Sequence, residues 1–376
     1  MRPFRCVCLL AGLALSLCAE EPPRRLDPVV VHAPPLPAKP VPPLIRLNLD
    51  HHLGTARFAA AAVADGDFIY IVGGANSEGT RLRSIERYDV RNGKCELFAE
   101  LKRGRRNHRV VVVDHRLYVI GGYAETTWVG DEPFEPMVEI VDLATGRVTR
   151  GPDMPEPRAN FACVAAGGDV YVIGGARRRG SAITNTNTTW VLNLARQHWS
   201  SGVPMITPRM AGAALVDGGF IVVPGGFGGN MAVANVEVYI PSEHLWRVLP
   251  PLHARTPAMA VTFLGHYLFL FGEHELVAYD LVTKRSTPYS FEYEAGRDVA
   301  SVIAGGRVYV FGGDHSREPL DMEYYFPTPN ADSLPTPGAP RSQSIATRES
   351  GPSDADHEAM DTIQVFELRD VAPVKP

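Results

Sequence analysis

The strongest constraint on the fold of this 376-residue chain is a pattern that recurs six times. In each unit an arginine precedes an apolar run, a turn, a second apolar run and a pair of glycines. The glycine pairs begin at Gly73, Gly121, Gly174, Gly225 and Gly312, and the fifth unit has Gly272-Glu273 instead of a pair. The arginines are Arg57, Arg105, Arg158, Arg209, Arg255 and Arg297.

The distance from arginine to glycine is 16 residues in the first four units, 17 in the fifth and 15 in the sixth. Because this distance hardly varies, we expect this part of each unit to have a fixed structure. Successive pairs are 40 to 53 residues apart, a period typical of stacked repeats. The variable length therefore lies after the glycines.

Two later strands complete each unit. A tyrosine or aliphatic residue is followed seven residues later by a second marker, as in Tyr88 and Cys95 or Tyr239 and Trp246. All these runs are short and rich in valine, isoleucine and tyrosine, which predicts β-strands and not helices. Each unit thus holds four strands, a to d.

Paired glycines that close strand b, with a tyrosine and a tryptophan at fixed separation, resemble the kelch family over about residues 44–368. The resemblance implies an all-β fold, a six-bladed kelch-type β-propeller with four antiparallel strands per blade around a channel. We expect the propeller to span residues 44–371 and to end in a tail at 372–376.

An N-terminal strand is expected to close the ring. Residues Leu44–Leu49 alternate like a strand d that has no partner in their own unit, whereas the sixth unit has no convincing strand d. Its strand c is predicted at Ile363–Leu368, with Met322–Phe326 as the alternative. The N-terminal strand can then complete the last blade and remove one exposed sheet edge.

The N-terminal region predicts export. Arg2 and Arg5 precede the apolar run Val7–Leu17, so residues 1–18 read as a signal peptide, and the mature protein would be secreted or periplasmic. A lipid anchor at Cys18 is an alternative, although Leu17 is not a small residue. No other run approaches the ~20 apolar residues of a membrane span.

Two segments of biased composition flank or interrupt the repeats. Residues 19–43 are rich in proline and predict a semi-rigid tether, and residues 327–361 are rich in proline, serine and aspartate and predict a disordered insertion. The net charge of -5 gives no reason to expect a nucleic-acid partner. Five cysteines are too few for a disulfide scaffold, and we expect Cys95 and Cys163 to remain unpaired.

Strand parity places the candidate functional face. The start of strand a, the end of strand b and the b-to-c loops share one end of the ring, which collects the arginines and the variable loops. Blade five has almost no b-to-c loop, which predicts a notch. Loops of variable length on rigid strands are typical of a binding face.

The six repeated arginines admit two interpretations. Guanidinium groups match carboxylates in a bidentate geometry, so they could bind an acidic sugar or peptide. Alternatively, each binds backbone carbonyls and supports the ring, which is the expectation for residues that obey the repeat. Arg177-Arg178-Arg179 is either a solvated charge run or an extension of this anion-attracting face.

Glu273 and His274 interrupt the repeat, and we assign them as candidate catalytic residues, with Glu273 as a general base. The chain is similar in part to a secreted six-bladed sialic acid mutarotase, in which a glutamate also follows a glycine at a strand end. That family places an arginine a few residues later, where this chain has Tyr279. The bland alternative is a shortened loop with solvated charges.

Copper oxidases also use kelch propellers, but no tyrosine and histidine set with ligand spacing occurs here. We therefore expect no metal site and no cofactor. The favoured hypothesis is a module without catalysis that binds an unidentified protein or an acidic carbohydrate or peptide through its loop-bearing face. The alternative is an epimerase or mutarotase acting on an acidic sugar such as sialic acid.

Overall fold

Short runs rich in valine, isoleucine and tyrosine form β-strands throughout the computed structural model. It describes residues 44–125, 133–179, 182–210, 212–229, 231–252, 260–271, 276–289, 297–315 and 357–368. Every regular element in these ranges is a strand. Consequently, the described residues contain no helix of the length and apolar character that spanning a membrane requires.

Six four-stranded antiparallel sheets carry the fold. The N-terminal strand β1 covers Leu44–His52. Blade 1 consists of β2 (Ala61–Asp65), β3 (Phe68–Val72), β4 (Ser84–Asp89) and β5 (Cys95–Glu100). Blade 2 follows the short strand β6 (Arg105–Arg106) and consists of β7 (Arg109–Val113), β8 (Arg116–Ile120), β10 (Val138–Asp142) and β11 (Val148–Arg150), with β9 (Tyr123–Ala124) pairing β6.

Blades 3 and 4 each carry an additional two-stranded hairpin. Blade 3 consists of β12 (Ala162–Ala166), β13 (Asp169–Ile173), β16 (Thr189–Asn193) and β17 (His198–Ser201), with the hairpin β14 (Ala176–Arg179) and β15 (Ala182–Asn185). Blade 4 consists of β18 (Leu215–Asp217), β19 (Phe220–Pro224), β22 (Val236–Ile240) and β23 (Leu245–Leu249), with the hairpin β20 (Phe227–Gly228) and β21 (Met231–Ala232).

The last two blades contain no further hairpin among the described residues. Blade 5 consists of β24 (Ala260–Leu264), β25 (Tyr267–Phe271), β26 (Leu276–Asp280) and β27 (Arg285–Tyr289). Blade 6 consists of β28 (Ala300–Ala304), β29 (Arg307–Phe311), β30 (Thr362–Leu368) and β1.

The six sheets form a ring around a central channel. The innermost strands of blades 1 and 2, 2 and 3, 3 and 4, 5 and 6, and 6 and 1 contact each other. Blades 4 and 5 are joined by a shared buried cluster. The six-bladed propeller predicted from the repeats is therefore confirmed.

Strand β1 closes the ring as predicted. It pairs antiparallel with β30 from the Leu44–Leu368 pair to the His52–Thr362 pair, so the outermost strand of the last blade comes from the start of the propeller. The predicted strand c at Ile363–Leu368 is confirmed as β30. The alternative at Met322–Phe326 lies outside the described residues.

The core is divided among the blade interfaces. One buried apolar cluster lies between each pair of neighbouring blades. Between blades 2 and 3, for example, Tyr118 and Ile120 share a cluster with Val172 and Leu192. Because each blade buries both faces against neighbours, no blade completes its core alone.

The structure describes only the end of the segment 327–361, which is predicted to be disordered. Residues 316–356 lie outside the described part, but residues 357–361 make backbone hydrogen bonds, including Met360 N–H to the Gly313 carbonyl at 2.9 Å. This segment pairs with the strand end at Asp314, which composition does not reveal. The predicted signal peptide (1–18), tether (19–43) and tail (372–376) lie outside the described residues.

Replacing Gly73 tests the tight end of strand b. Gly73 has φ +56°, and a Cβ would lie 2.7 Å from the Arg105 carbonyl oxygen, whereas Gly66 has φ +60° with open space around it. Gly66→Ala should lower the free energy of unfolding by about 1 kcal/mol from backbone strain alone, and Gly73→Ala by at least about 2 kcal/mol more, because the clash is with backbone. Urea denaturation measures both. Equal losses would contradict the packing at Gly73.

Strand β1 offers a matched pair for the closure. Leu44 is 4% exposed and packs in the cluster between blades 5 and 6, whereas the adjacent Ile45 is 37% exposed. We expect Leu44→Ala to lower the free energy of unfolding by about 2 kcal/mol or more and Ile45→Ala by about 0.5 kcal/mol. Thermal unfolding followed by circular dichroism checks this. A Leu44→Ala protein as stable as wild type would show that β1 does not close the ring.

Candidate functional site

Strand parity gathers the ends of strand b, the starts of strand a and the b-to-c loops at one end of the ring, here called the loop-bearing end. The side chain of Arg57, which precedes strand a of blade 1, donates to the Gly73 carbonyl at the end of strand b at 2.9 Å. The hairpins β14–β15 and β20–β21 follow the glycine pairs of blades 3 and 4, so they belong to this end. Its geometry is therefore set by the arginines and the glycine pairs.

Four of the repeated arginines are buried at this end with exposures of 0–1%: Arg57, Arg105, Arg158 and Arg209. Each donates through Nη1 to the carbonyl of the first glycine of its own blade. The distances are 2.9 Å to Gly73, 3.3 Å to Gly121, 3.1 Å to Gly174 and 2.8 Å to Gly225. A second carbonyl, at the start of strand c in blade 1 and just before it in blades 2 to 4, accepts from the same nitrogen.

A carboxylate balances each of these buried cations. Arg57 pairs with Glu86, Arg105 with Glu139 and Arg209 with Glu237, all three glutamates lying on strand c. In blade 3, Trp190 stands at the equivalent register position of strand c, and Arg158 pairs instead with Glu156 at 2.6 Å. Burial lowers the pKa of each arginine, and the carboxylate opposes this shift.

The same three glutamates hold the connection between neighbouring blades. Their carboxylates accept backbone N–H groups from the residues shortly before the repeated arginines: Gly54 to Glu86 at 2.7 Å, Lys102 to Glu139 at 2.6 Å and Ile206 to Glu237 at 2.8 Å. The ion pair and the backbone bonds therefore form one network in each of blades 1, 2 and 4.

The backbone of each arginine also reaches the preceding blade. The second glycine of a pair donates its N–H to the carbonyl of the arginine in the next blade: Gly74 to Arg105 at 2.9 Å, Gly122 to Arg158 at 2.8 Å, Gly175 to Arg209 at 2.8 Å and Gly313 to Arg57 at 2.9 Å. One residue thus fixes its own blade through its side chain and the neighbouring blade through its backbone.

This geometry favours the supporting interpretation of the repeated arginines. Buried guanidiniums that are bonded internally present no surface to a ligand, so the ligand-binding role predicted for these four gains no support. Arg255, Glu273 and His274 lie outside the described residues, and their predicted roles stay predictions.

Arg297 is not equivalent to the other arginines, contrary to the sixfold set expected from the sequence. It forms an isolated bridge with Asp314, in the position where Phe58 bridges Ala75 in blade 1. Arg57 stands one residue earlier in this frame, and at that position blade 6 has Gly296. The 15-residue spacing from Arg297 to Gly312 already signals this shift of one residue.

The mouth of the channel at this end is bordered by residues in the left-handed conformation just before strand a. Ala59, Asn107, Asn160 and Asp298 have φ between 52° and 56°. Their backbones are linked from blade to blade: Ala59 N–H donates to Asp298, Asn107 to Ala59 and Asn160 to Asn107 at 2.9–3.0 Å. The mouth is therefore rigid, and its side chains vary without altering the backbone.

Blade 6 places charged groups at this mouth, here called the blade-six cluster (Asp298, Asp314 and His357). The Asp314 carboxylate is hydrogen-bonded to His357 Nδ1 at 2.7 Å and accepts the Glu358 N–H at 3.0 Å. The His357 ring packs on Phe58 of blade 1 with centroids 4.4 Å apart. Burial raises the pKa of Asp298, and Arg106 opposes the shift. The cluster can hydrogen-bond a polar group or exchange a proton with it.

Sequence reasoning missed the blade-six cluster because its members are far apart in the chain. His357 falls in the segment predicted to be disordered, so composition argued against it. The sequence does contain a signal at Asp314. The residue after the glycine pair is an aspartate in blade 6, whereas blades 1 to 4 have Ala75, Tyr123, Ala176 and Phe227 there.

The hairpin β14–β15, here called the basic hairpin, carries Arg177, Arg178 and Arg179 in consecutive positions. Arg177 forms an ion pair with Glu156 at 2.6 Å. The Arg178 guanidinium lies 5.9 Å from the Phe134 ring centroid, and both Arg178 and Arg179 are exposed. The run is thus held on a regular hairpin beside the channel-facing strands and not in an irregular loop.

Comparison with known families tests the resemblance to kelch repeats. The KLHDC2/KLHL20/DRC7 Kelch-repeats domain matches residues 60–273, more than half of the chain. The chain belongs to the kelch-repeat family. The match agrees with the glycine pairs and the strand order of the blades that it covers.

Similar curated proteins are also kelch proteins. The chain is 28% identical over 217 residues to Kelch-like protein 25 of Xenopus tropicalis. The aligned region covers 53% of this chain and 35% of that protein. It is 28% identical to Kelch-like protein 25 of Homo sapiens over the same shares. It is 26% identical to Kelch-like protein 23 of Mus musculus over 42% of this chain and 27% of that protein. The kelch chain thus spans about a third of the length of these relatives.

Thiol and metal chemistry gain no support from the described part of the kelch propeller. Cys95 and Cys163 are free, and burial raises the pKa of each thiol to about 12. No three histidine, cysteine, aspartate or glutamate side chains within the described ranges are grouped as a metal site would require.

The Arg209–Glu237 pair tests the supporting network. Removing one charge of a buried pair leaves the other uncompensated, so Glu237→Gln should lower the free energy of unfolding by about 3 kcal/mol or more. Glu243 pairs with Arg247 at the surface with 46% of its side chain exposed, and Glu243→Gln should cost at most about 1 kcal/mol. Urea denaturation of the two variants measures the difference. Similar small losses would assign Arg209 to a role other than support.

Proposed function

We propose that this kelch propeller is a binding module without catalysis, and that it recognises an acidic protein segment at the loop-bearing end of blades 2 and 3. The single observation that carries the proposal is the basic hairpin. It presents two exposed arginines, Arg178 and Arg179, on a regular two-stranded element.

The basic hairpin concentrates positive charge on one element. Of its three arginines, Arg177 shares Glu156 with the buried Arg158. One carboxylate therefore faces two cations, and the exposed Arg178 and Arg179 follow on the same strand. Guanidinium groups bind carboxylates in a bidentate geometry, and a cationic patch attracts an anionic segment over several ångströms.

The hairpin also supplies a rigid apolar base. Ala176 belongs to a buried cluster with Met210 and Phe227 of blade 4, and Phe134 and Ile183 pack against it. Side chains held on such an element lose less conformational freedom when they bind than side chains on a mobile loop. An acidic segment could therefore contact the arginines at a small entropic cost.

Family membership supports a protein partner. Kelch propellers are typically protein-binding modules, and the matched relatives are kelch-like proteins. We also propose that the protein is secreted or periplasmic, which rests on the basic and apolar residues within 1–18 alone. The alternative of a sialic acid mutarotase depends on Glu273 and His274, so it stays a prediction from the sequence.

Charge reversal on the basic hairpin tests the proposed function. The probe is a fluorescein-labelled peptide of alternating glutamate and glycine, and its binding is measured by fluorescence anisotropy. The double variant Arg178→Glu, Arg179→Glu should weaken binding about tenfold or more, because two exposed charge contacts of up to about 1 kcal/mol each become repulsive. Sodium chloride should weaken wild-type binding more than that of the variant.

The matched control reverses two exposed arginines at the opposite end of the ring. Arg147 and Arg196 lie in the turns that follow strand c of blades 2 and 3, and their double reversal changes the net charge equally. It should leave peptide binding within about twofold of wild type. Salt largely screens the interaction between exposed charges that are further apart than the Debye length of ~10 Å. Equal losses in both double variants would show non-specific attraction. Displacement of the labelled peptide by free sialic acid would favour the sugar alternative.

A further inference from the structure

Arg109 occupies a position that is alanine in the other blades where strand a begins in the same register. It is the first residue of β7 and pairs with Ile120. The equivalent residues are Ala61, Ala162, Ala260 and Ala300, each paired with the residue just before the glycine position. A long cation therefore replaces a methyl group at one point of the innermost circle of strands.

The side chain of Arg109 reaches past blade 3 to blade 4. Its Nη2 donates to the Gly212 carbonyl at 3.3 Å, and Gly212 lies shortly before strand a of blade 4, which begins at Leu215. Blade 3 lies between these two blades, because β7 contacts β12 and β12 contacts β18. The guanidinium thus lies within the channel. Arg109 is partly accessible to solvent.

The electrostatic environment of Arg109 differs from that of the supporting arginines. Arg57, Arg105, Arg158 and Arg209 each have a carboxylate partner. Arg109 forms no ion pair within the described ranges, and its two hydrogen bonds go to the carbonyls of His108 and Gly212 at 3.1 and 3.3 Å. A cation removed from bulk water is unstable without a counter-charge.

Nearby groups do not supply that counter-charge by contact. Burial raises the pKa of the Cys163 thiol to about 12, so the thiol is neutral at pH 7. Burial also raises the pKa of Asp298, which acts on Arg109 only at a distance beyond ion-pair contact. Burial lowers the pKa of Arg109 itself, and these two groups oppose the shift.

We propose that Arg109 binds a small monovalent anion, chloride or a free carboxylate such as acetate, inside the central channel. Two of the five N–H donors of its guanidinium are used by the carbonyl bonds, so the remaining donors are available to the anion. The site is separate from the basic hairpin, so this proposal and the proposed function fail independently.

Chloride binding can be measured directly by ³⁵Cl NMR line broadening on the chloride-free protein. Wild type should give a saturable excess broadening that acetate removes by competition. Arg109→Met should lose at least nine-tenths of this broadening, whereas Arg147→Met, which removes an exposed cation at the opposite end, should retain it. Acetate competition distinguishes the two anions: broadening that acetate leaves unchanged restricts the site to halide and overturns the carboxylate part.

The wild-type protein alone can overturn the proposal if Arg109→Met does not fold. A titration of its urea unfolding midpoint with sodium chloride should show a saturable rise, because a ligand of the native state stabilises it by mass action. A midpoint that changes only linearly up to about 200 mM sodium chloride, together with no excess ³⁵Cl broadening, would overturn the proposal. Arg109 would then serve only to hydrogen-bond the Gly212 carbonyl. Equal broadening in Arg109→Met places the anion elsewhere.

Discussion

The structure depends on the hydrogen bonds between buried arginines and the carbonyls of the paired glycines. A chain that reverses through two successive glycines with positive φ leaves carbonyl groups directed into the protein, and buried carbonyls need donors. Arginine carries several donors on one rigid group, so a single side chain can serve the glycine carbonyl and the carbonyl before strand c. The glutamates then neutralise the cation and hold the next connection. Lysine, with one nitrogen, would bond fewer of these oxygens.

Repetition and its exceptions have different meanings in this propeller. Where the pattern is obeyed, as at Arg57 and Arg209, the residue is consumed by internal contacts. Where it is broken, polar side chains stand where other blades have apolar or small residues: Asp314 replaces a small or apolar residue, Arg109 replaces alanine, and the hairpin after Gly175 carries three arginines. The positions that blades 1 to 4 share support the ring, and both proposed binding sites lie where a single blade departs from the pattern.

The repeats predicted the architecture well because strand pairing is local within each blade. The constant arginine-to-glycine distance located strands a and b, and the unpaired alternation at Leu44–Leu49 identified the closing strand across 324 residues. The candidate site was harder to predict. Arg297 lies one register position from the other arginines, and one residue changes which groups it meets. His357 reaches Asp314 only through tertiary contact, which no composition or period encodes.

The pairing of β1 with β30 also determines when the propeller can complete its folding. Both strands belong to the same sheet, yet they lie at opposite extremes of the propeller sequence. Bringing such distant segments together carries a large loop-closure entropy and slows formation of the contact. During synthesis the first five sheets can assemble early, while β29 exposes an unpaired edge until β30 arrives. The ring therefore gains its full cooperativity only with its final strand.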